Sequence, residues 1–252
     1  MLFACQKAMI RSVSKSVRRF WAALALLSIE MLAILSIFFL ALITVVFLIR
    51  DIFLLKNEEL DKEVFAFAET YLNHTNTAVM SFITFFGSHE FLIPANLLLI
   101  AYFLFFRKHK WYSIKIPAVA LSSFLLMFGL KRFFGRERPE NQLLEEATNF
   151  SFPSGHALMS VTFYGLIAYA IWQSVKNKFW RWTLIILITA WILIIGFSRI
   201  YLRKHYYSDV IAGYCIGFVW LVFAIWLLNK MERYSRRKIN PIVEQPKEEK
   251  RA

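Results

Sequence analysis

Lys131 is followed after six residues by Arg138-Pro139, then comes Pro153-Ser154-Gly155-His156, and further on Ser198-Arg199 precedes His205 and Asp209. His205 and Asp209 stand four apart, so on a helix they share one face a turn apart, and the carboxylate can accept a hydrogen bond from the imidazole. That would hold the other ring nitrogen as an acceptor, and hence as a nucleophile. Ser154, Gly155 and His156 precede an apolar run. If they open its helix, free backbone N–H groups and the positive dipole end suit an anion, and Gly155 lets the backbone approach it. Lys131, Arg138 and Arg199 supply fixed positive charge of the kind a phosphoryl transition state spread over three oxygens requires. His156 is left as the proton donor to a leaving oxygen, then as the base that activates water. No His/Cys/Asp cluster has metal-ligand spacing, so neither a metal nor another cofactor is expected.

Each group has a plainer explanation when taken singly. Lys131 and Arg138 suit a helix end at a membrane interface, Pro153-Ser154 suits a cap, and His205 with Asp209 suits a surface pair worth a few tenths of a kcal/mol. Jointly they are hard to explain beside a membrane except as a site for an anion.

The elements that must position them are membrane helices. The chain is 58% hydrophobic and 17% aromatic, with mean hydropathy +0.51, which excludes a soluble enzyme, a secreted disulfide scaffold and a disordered tail. Apolar runs occupy Phe20 to Ile49, Phe91 to Phe106, Ile116 to Leu130, Ala157 to Trp172, Trp182 to Phe197 and Val210 to Leu228, six candidate spans in all. The third is short: 15 residues cover about 22 Å, less than a hydrocarbon core of about 30 Å, so polar groups at its ends should lie within the membrane. Leu60 to Phe86 is expected as one amphipathic helix lying on the membrane. The first run is too long for a removable signal peptide and lacks a small-residue cleavage site. Cys5 and Cys215 are too far apart in this layout to pair.

The formal charge of +13 needs no nucleic acid to explain it. With the N-terminus inside, inner segments hold 20 Lys and Arg and outer segments 10, which predicts cytoplasmic N- and C-termini. The organisation expected is an all-α, six-span bundle over 20–231, between a basic cytoplasmic segment 1–19 and a solvated cytoplasmic tail 232–252. All three chemical stretches then face the outer side. Glu30 in the first run is expected to be structural, Gly213 and Gly217 to let helices pack closely, and His89-Glu90, His74 and His109 to be surface groups.

These three stretches resemble the motifs of the type 2 phosphatidic acid phosphatase (PAP2) superfamily, which also includes the vanadium haloperoxidases, at all eleven specified positions within 131–209. The resemblance implies a metal-independent membrane phosphatase acting through a phosphohistidine on His205, with His156 as acid and base, Asp209 behind His205, and Lys131, Arg138, Ser154, Gly155 and Arg199 on the phosphate. Implied substrates are lipid phosphates such as undecaprenyl diphosphate, phosphatidylglycerophosphate or phosphatidic acid. Six spans argue against a soluble haloperoxidase, and the size and basic inner segments suggest a bacterial inner membrane with the site facing outward. A lipid phosphotransferase would look the same. From another class, a transporter or lipid-binding protein could hold an anion without cleaving it, but would need no oriented nucleophile beside a second histidine. Glu140, Glu145 and Glu146 between Pro139 and Pro153 would repel a bulky anionic headgroup, which favours the undecaprenyl diphosphate.

Overall fold

A computed structural model describes residues 29–107, 110–140, 142–143 and 149–236. All regular structure among them is helical: α1 (Ile29–Ile49), α2 (Glu59–Glu69), α3 (His74–Phe85), α4 (His89–Ala101), α5 (Lys110–Phe134), α6 (Gly155–Ser174), α7 (Lys178–Tyr201) and α8 (Tyr207–Tyr234). Single π-helical turns, Arg50–Leu54 and Tyr102–Phe106, extend α1 and α4. Six helical stretches are long and apolar enough to cross a membrane: Ile29–Leu54, His74–Phe106, Trp111–Phe134, Gly155–Ser174, Lys178–Tyr201 and Tyr207–Tyr234.

The chain divides into two compact units, Met1–Leu40 and Ala41–Ala252. The described part of the first is the opening half of α1, where Ile29, Ile34, Ile37, Phe39 and Leu40 are exposed, as they would be facing lipid. Glu30 is exposed there too. The second unit holds the three chemical stretches.

Within it, α6 packs most extensively on α8 and α7. Gly213 and Gly217 explain the closeness of the first pair: a Cβ on either would lie 2.8 Å from the Ser154 carbonyl oxygen or 2.9 Å from that of Leu158. Lipid tails are as apolar as leucine, so such contacts act through van der Waals packing rather than through a hydrophobic drive. A core of Ile116, Val119, Leu166, Leu221, Ala224 and Leu228 joins α5, α6 and α8.

Three expectations change. The segment 60–86 is two helices: Asn73 breaks it, its side chain accepting from the Asn76 N–H at 2.8 Å to cap α3. The apolar face of α2 also lies on protein, with Val64 and Phe65 packed against the cluster of Ala157, Ile200 and Val210. The helix of the third span, α5, is 25 residues long, and its apolar run looked short because the helix carries Lys115 and Lys131, about 24 Å apart along the axis at about 1.5 Å per residue. Finally, α8 continues to Tyr234, so Glu232 belongs to the bundle and not to a tail: its carboxylate meets Lys115 at 2.7 Å.

Candidate active site

The site sits where α5 ends and α6 and α8 begin. Gly135, at φ +58°, accepts the left-handed conformation that ends α5, and its N–H donates to the Lys131 carbonyl at 3.0 Å. The chain then carries Arg136 and Arg138 across the bundle. Ser154 caps α6, its hydroxyl accepting from the Ala157 N–H, while its own N–H donates to the Asp209 carbonyl at 3.0 Å. The starts of α6 and α8 are thereby tied together. A Cβ on Gly155 would lie 2.6 Å from Met127 Sδ, so this glycine also lets α5 approach α6.

His205 ends a tight turn after α7, in which the Lys204 N–H and His205 N–H both donate to the Arg199 carbonyl, at 2.9 and 3.3 Å. The imidazole is 2% exposed. Its Nδ1 lies 3.7 Å from Asp209 Oδ2, too far for a hydrogen bond. The direct His205–Asp209 bond expected from the four-residue spacing is therefore replaced: Ser151 Oγ lies 3.3 Å from Nδ1 and bonds Asp209 Oδ2.

Donor chemistry gives this chain its direction. Arg138 Nη1 lies 3.4 Å from His205 Nε2, and a guanidinium can only donate, so Nε2 is the acceptor. Nδ1 then bears the proton and donates to Ser151 Oγ, whose own proton goes to the carboxylate. Burial, then Arg138, Lys131 and Arg199, push the His205 pKa well below the usual histidine value. His205 is thus neutral with its Nε2 lone pair available.

Asp209 is fully buried and tied on every side. Its Oδ2 accepts the Tyr206 N–H at 3.0 Å and its Oδ1 pairs with Arg136 Nη1 at 2.6 Å. Arg136 reaches Asp61 on α2 at 2.9 Å. Asp61 in turn accepts the Ser208 N–H at 2.8 Å and the Ser208 hydroxyl at 2.7 Å. Burial works against the charge on Arg136, but Asp209 and Asp61 outweigh it and raise its pKa.

The other cations have neutral partners. Lys131 donates to the carbonyls of Phe150 and Ser151, and Arg138 to Asn149 and to the Lys204 carbonyl at 2.5 Å. Arg199 donates to Thr84 Oγ1 at 2.7 Å, while its Nε is buried with no partner among the described residues. None of the three forms an ion pair with a carboxylate among those residues. Asp209 is taken up by Arg136, so among the described residues these three cations outnumber the carboxylates near them, which in a low-dielectric setting favours a ligand that brings negative charge. Burial lowers the Arg138 pKa, with Asp209 opposing.

His156 is the second residue of α6, and its electrostatic neighbours include Arg199, His205 and Arg138. It lies beside the break between α3 and α4: a Cβ on Gly87 would stand 3.2 Å from His156 Cδ2 and 3.1 Å from Ser160 Oγ. Thr84 is in the same turn, so this break forms a wall shared by His156 and Arg199. The structure thus gathers Lys131, Arg138, Ser154, Gly155, His156, Arg199, His205 and Asp209 at one end of the bundle. His74 is exposed at the start of α3, and His89 and Glu90 form an exposed pair at 3.3 Å. Cys5, His109, Glu145 and Glu146 lie outside the described residues.

Sequence reasoning missed Ser151, Arg136, Asp61 and Ser208. One signal was available for Asp61: it occupies the same face of α2 as Val64, Phe65 and Ala68, a charge in an apolar stripe.

Residues 112–233 match the PAP2 superfamily model. The chain is 28% identical over 182 residues to phosphatidylglycerophosphatase B of Bacillus subtilis (strain 168), covering 72% of this chain and 87% of that one. It is 29% identical over 155 residues to undecaprenyl-diphosphatase of Sulfolobus acidocaldarius, covering 59% and 68%. Its fold is similar to the crystal structure of a transmembrane PAP2 type phosphatidylglycerolphosphate phosphatase from Bacillus subtilis, with a TM-score of 0.69, 26% identity, and 80% of this chain and 98% of that one covered.

Proposed function

Because the chain carries a PAP2 superfamily domain within a bundle of membrane helices, we propose that it is an integral membrane lipid phosphatase working through a phosphohistidine on His205. The observation that carries this reading is the neutral, oriented Nε2 of His205 beside Arg138, with Lys131 and Arg199 close by and, among the described residues, no carboxylate paired to any of the three. Nε2 attacks phosphorus, and the bond to the lipid oxygen breaks as that oxygen takes a proton from His156. The extra positive charge on His205 is stabilised through Ser151 by Asp209. His156, now neutral, takes a proton from water, and the hydroxide displaces phosphate from His205. Lys131, Arg138 and Arg199 hold the equatorial oxygens throughout, and no step needs a metal.

The favoured substrate is undecaprenyl diphosphate. A cavity of about 580 Å³ is lined by Arg138 and by Glu58, Glu137 and Glu140 together with Lys62, Arg136 and Arg203. These last three cations are already paired, with Glu58, with Asp61 and Asp209, and with Glu69. Glu137 and Glu140 therefore outnumber Arg138, at the cavity's inner edge, and leave its outer part acidic. A diphosphate keeps both phosphates within the cationic cluster, whereas the second phosphate of phosphatidylglycerophosphate, a glycerol away, falls towards the acidic cavity. The relative named phosphatidylglycerophosphatase B supports that lipid as the second reading. The basic asymmetry of the chain supports placing the site on the outer face of a bacterial inner membrane, with both termini inside.

Phosphate release from a panel of lipid phosphates in micelles at matched surface concentration tests this, with EDTA and vanadate arms. Turnover that survives EDTA, is blocked by vanadate and is fastest on undecaprenyl diphosphate is expected. A several-fold higher kcat/KM for phosphatidylglycerophosphate would overturn the substrate, and a divalent-metal requirement would overturn the mechanism.

A further inference from the structure

At the other end of the bundle, where α4, α6 and α8 finish and α5 begins, a cavity of about 740 Å³ lies among Arg107, Lys115, Tyr169, Gln173, Asn229 and Glu232. This volume falls within the range of about 300–1,000 Å³ typical of small-molecule sites. An apolar groove of about 270 Å³, floored by Leu99, Ile116, Leu166 and Ile171, adjoins it, and both share Phe103, Arg107, Tyr112 and Ser174. A polar chamber opening into an apolar slot at a membrane interface matches the two halves of a lipid.

The charges define the head. Lys115 is 3% exposed and donates to Asn229 Oδ1 at 2.6 Å and Glu232 Oε2 at 2.7 Å, while Asn229 donates to Tyr169 Oη at 3.0 Å. Glu232 is not Lys115's alone, since its Oε1 accepts from Arg236 at 2.9 and 3.1 Å. One carboxylate thus serves two cations, and Arg107, at the rim, pairs with no carboxylate among the described residues. The chamber is positive overall. Phe106 is 80% exposed and Leu98 72% exposed on the adjoining turns of α4, so this side of the groove is open to the bilayer from which a ligand would enter.

We propose that this end of the bundle holds one anionic phospholipid, its headgroup phosphate near Arg107 and Lys115 and one chain in the groove beneath. The site is separate from the His205 cluster and does not depend on the reaction proposed for it. Occupancy ties α4 to α6 and α8 through a shared ligand, so binding raises the stability of the folded protein.

The test uses the full chain in detergent micelles, with vanadate present throughout to fill the phosphate site. The unfolding midpoint is followed against dioleoylphosphatidylglycerol, dioleoylphosphatidylcholine or inorganic phosphate. A saturable rise with phosphatidylglycerol alone is expected. Arg107→Gln should weaken half-saturation roughly tenfold, the scale of one charge-assisted hydrogen bond. Ala170→Trp, which fills the groove, should abolish the rise, and both variants should keep wild-type turnover. Equal shifts with the two lipids, an unchanged response in Arg107→Gln, or the full shift from inorganic phosphate alone would overturn the proposal. A lipid response that appears only after residues 237–252 are removed would seat the C-terminal segment there, through Glu244, Glu248 or Glu249, and would also overturn it.

Discussion

Replacing Ser151 by alanine should slow phosphate release without preventing it, because the hydroxyl is the only bridge between His205 and Asp209 seen among the described residues. Nδ1 and Oδ2 are 3.7 Å apart, and Ser151 Oγ, 3.3 Å from Nδ1, completes the connection. Its removal strands a buried N–H, which costs about 1–3 kcal/mol. If that loss is felt when the imidazole becomes positive, the rate falls by between about fivefold and 150-fold. Asp209 keeps its charge in the variant, and at this distance an effective dielectric of about 20 still yields about 4 kcal/mol of attraction for the positive ring. Asp209→Asn loses that attraction and should be slower, by roughly 10³-fold. In the Asp209→Asn background, adding Ser151→Ala should cost little more, since both act along one chain. The assay is phosphate release in micelles, with kcat and KM separated and folding checked by the unfolding midpoint. A folded Ser151→Ala protein that turns over at the wild-type rate would refute the relay, and so would full additivity with Asp209→Asn.

Asp61→Ala leaves Arg136 and Ser208 without their carboxylate, and breaking a buried pair in this way costs about 3–5 kcal/mol. A large drop in the unfolding midpoint together with a lower kcat is expected. Because burial, Arg138, Lys131 and Arg199 depress the His205 pKa, the neutral nucleophile persists below the usual histidine value of about 6.5, and the acid limb of kcat/KM should lie under that pH. Arg138→Gln removes one of those positive charges and should move the limb upward, so an unmoved limb would exclude His205 as its source. The basic limb belongs to His156 as acid, and the two together make the wild-type profile bell-shaped. For topology, cysteine at Glu58 or Glu145 should react with an impermeant reagent on intact cells, and cysteine at Lys247 only after permeabilisation. The reverse pattern would place the site on the cytoplasmic face.

Much of this was legible in the sequence, and what was not has identifiable causes. Apolar runs announce helices wherever no charge interrupts them, so α1, α7 and α8 stood out. Lys115 and Lys131 hid the true length of α5, since a lysine whose charge is met by Glu232 or by backbone carbonyls is compatible with a long span but breaks the apolar count. The residues that touch phosphate in the proposed reaction were visible because their chemistry is unusual beside lipid. Ser151 was not, because a serine three residues before Ser154 carries no signal until the turn folds it between His205 and Asp209. Arg136 was lost among its basic neighbours, although its two carboxylate partners set it apart from Arg138. Asp61 lies 75 residues from Arg136, and only the docking of α2 onto α7 and α8 brings the two together. The i, i+4 spacing anticipated that Asp209 lies near His205, but not how: His205 stands in the turn before α8 rather than on its face, and the two are 3.7 Å apart and bridged by Ser151.

The central claim is that His205 forms a covalent bond to phosphorus. Rapid acid-free quenching of the full-length protein with a lipid labelled in its terminal phosphate should trap label on the protein. The linkage should survive base and be lost in acid, as expected of an N–P bond, and it should be absent from folded His205→Ala protein, which should release no phosphate. Slowing hydrolysis with His156→Ala should increase the trapped fraction wherever transfer to His205 still proceeds. Wild-type turnover by folded His205→Ala, or label that remains on the protein without His205, would contradict the account.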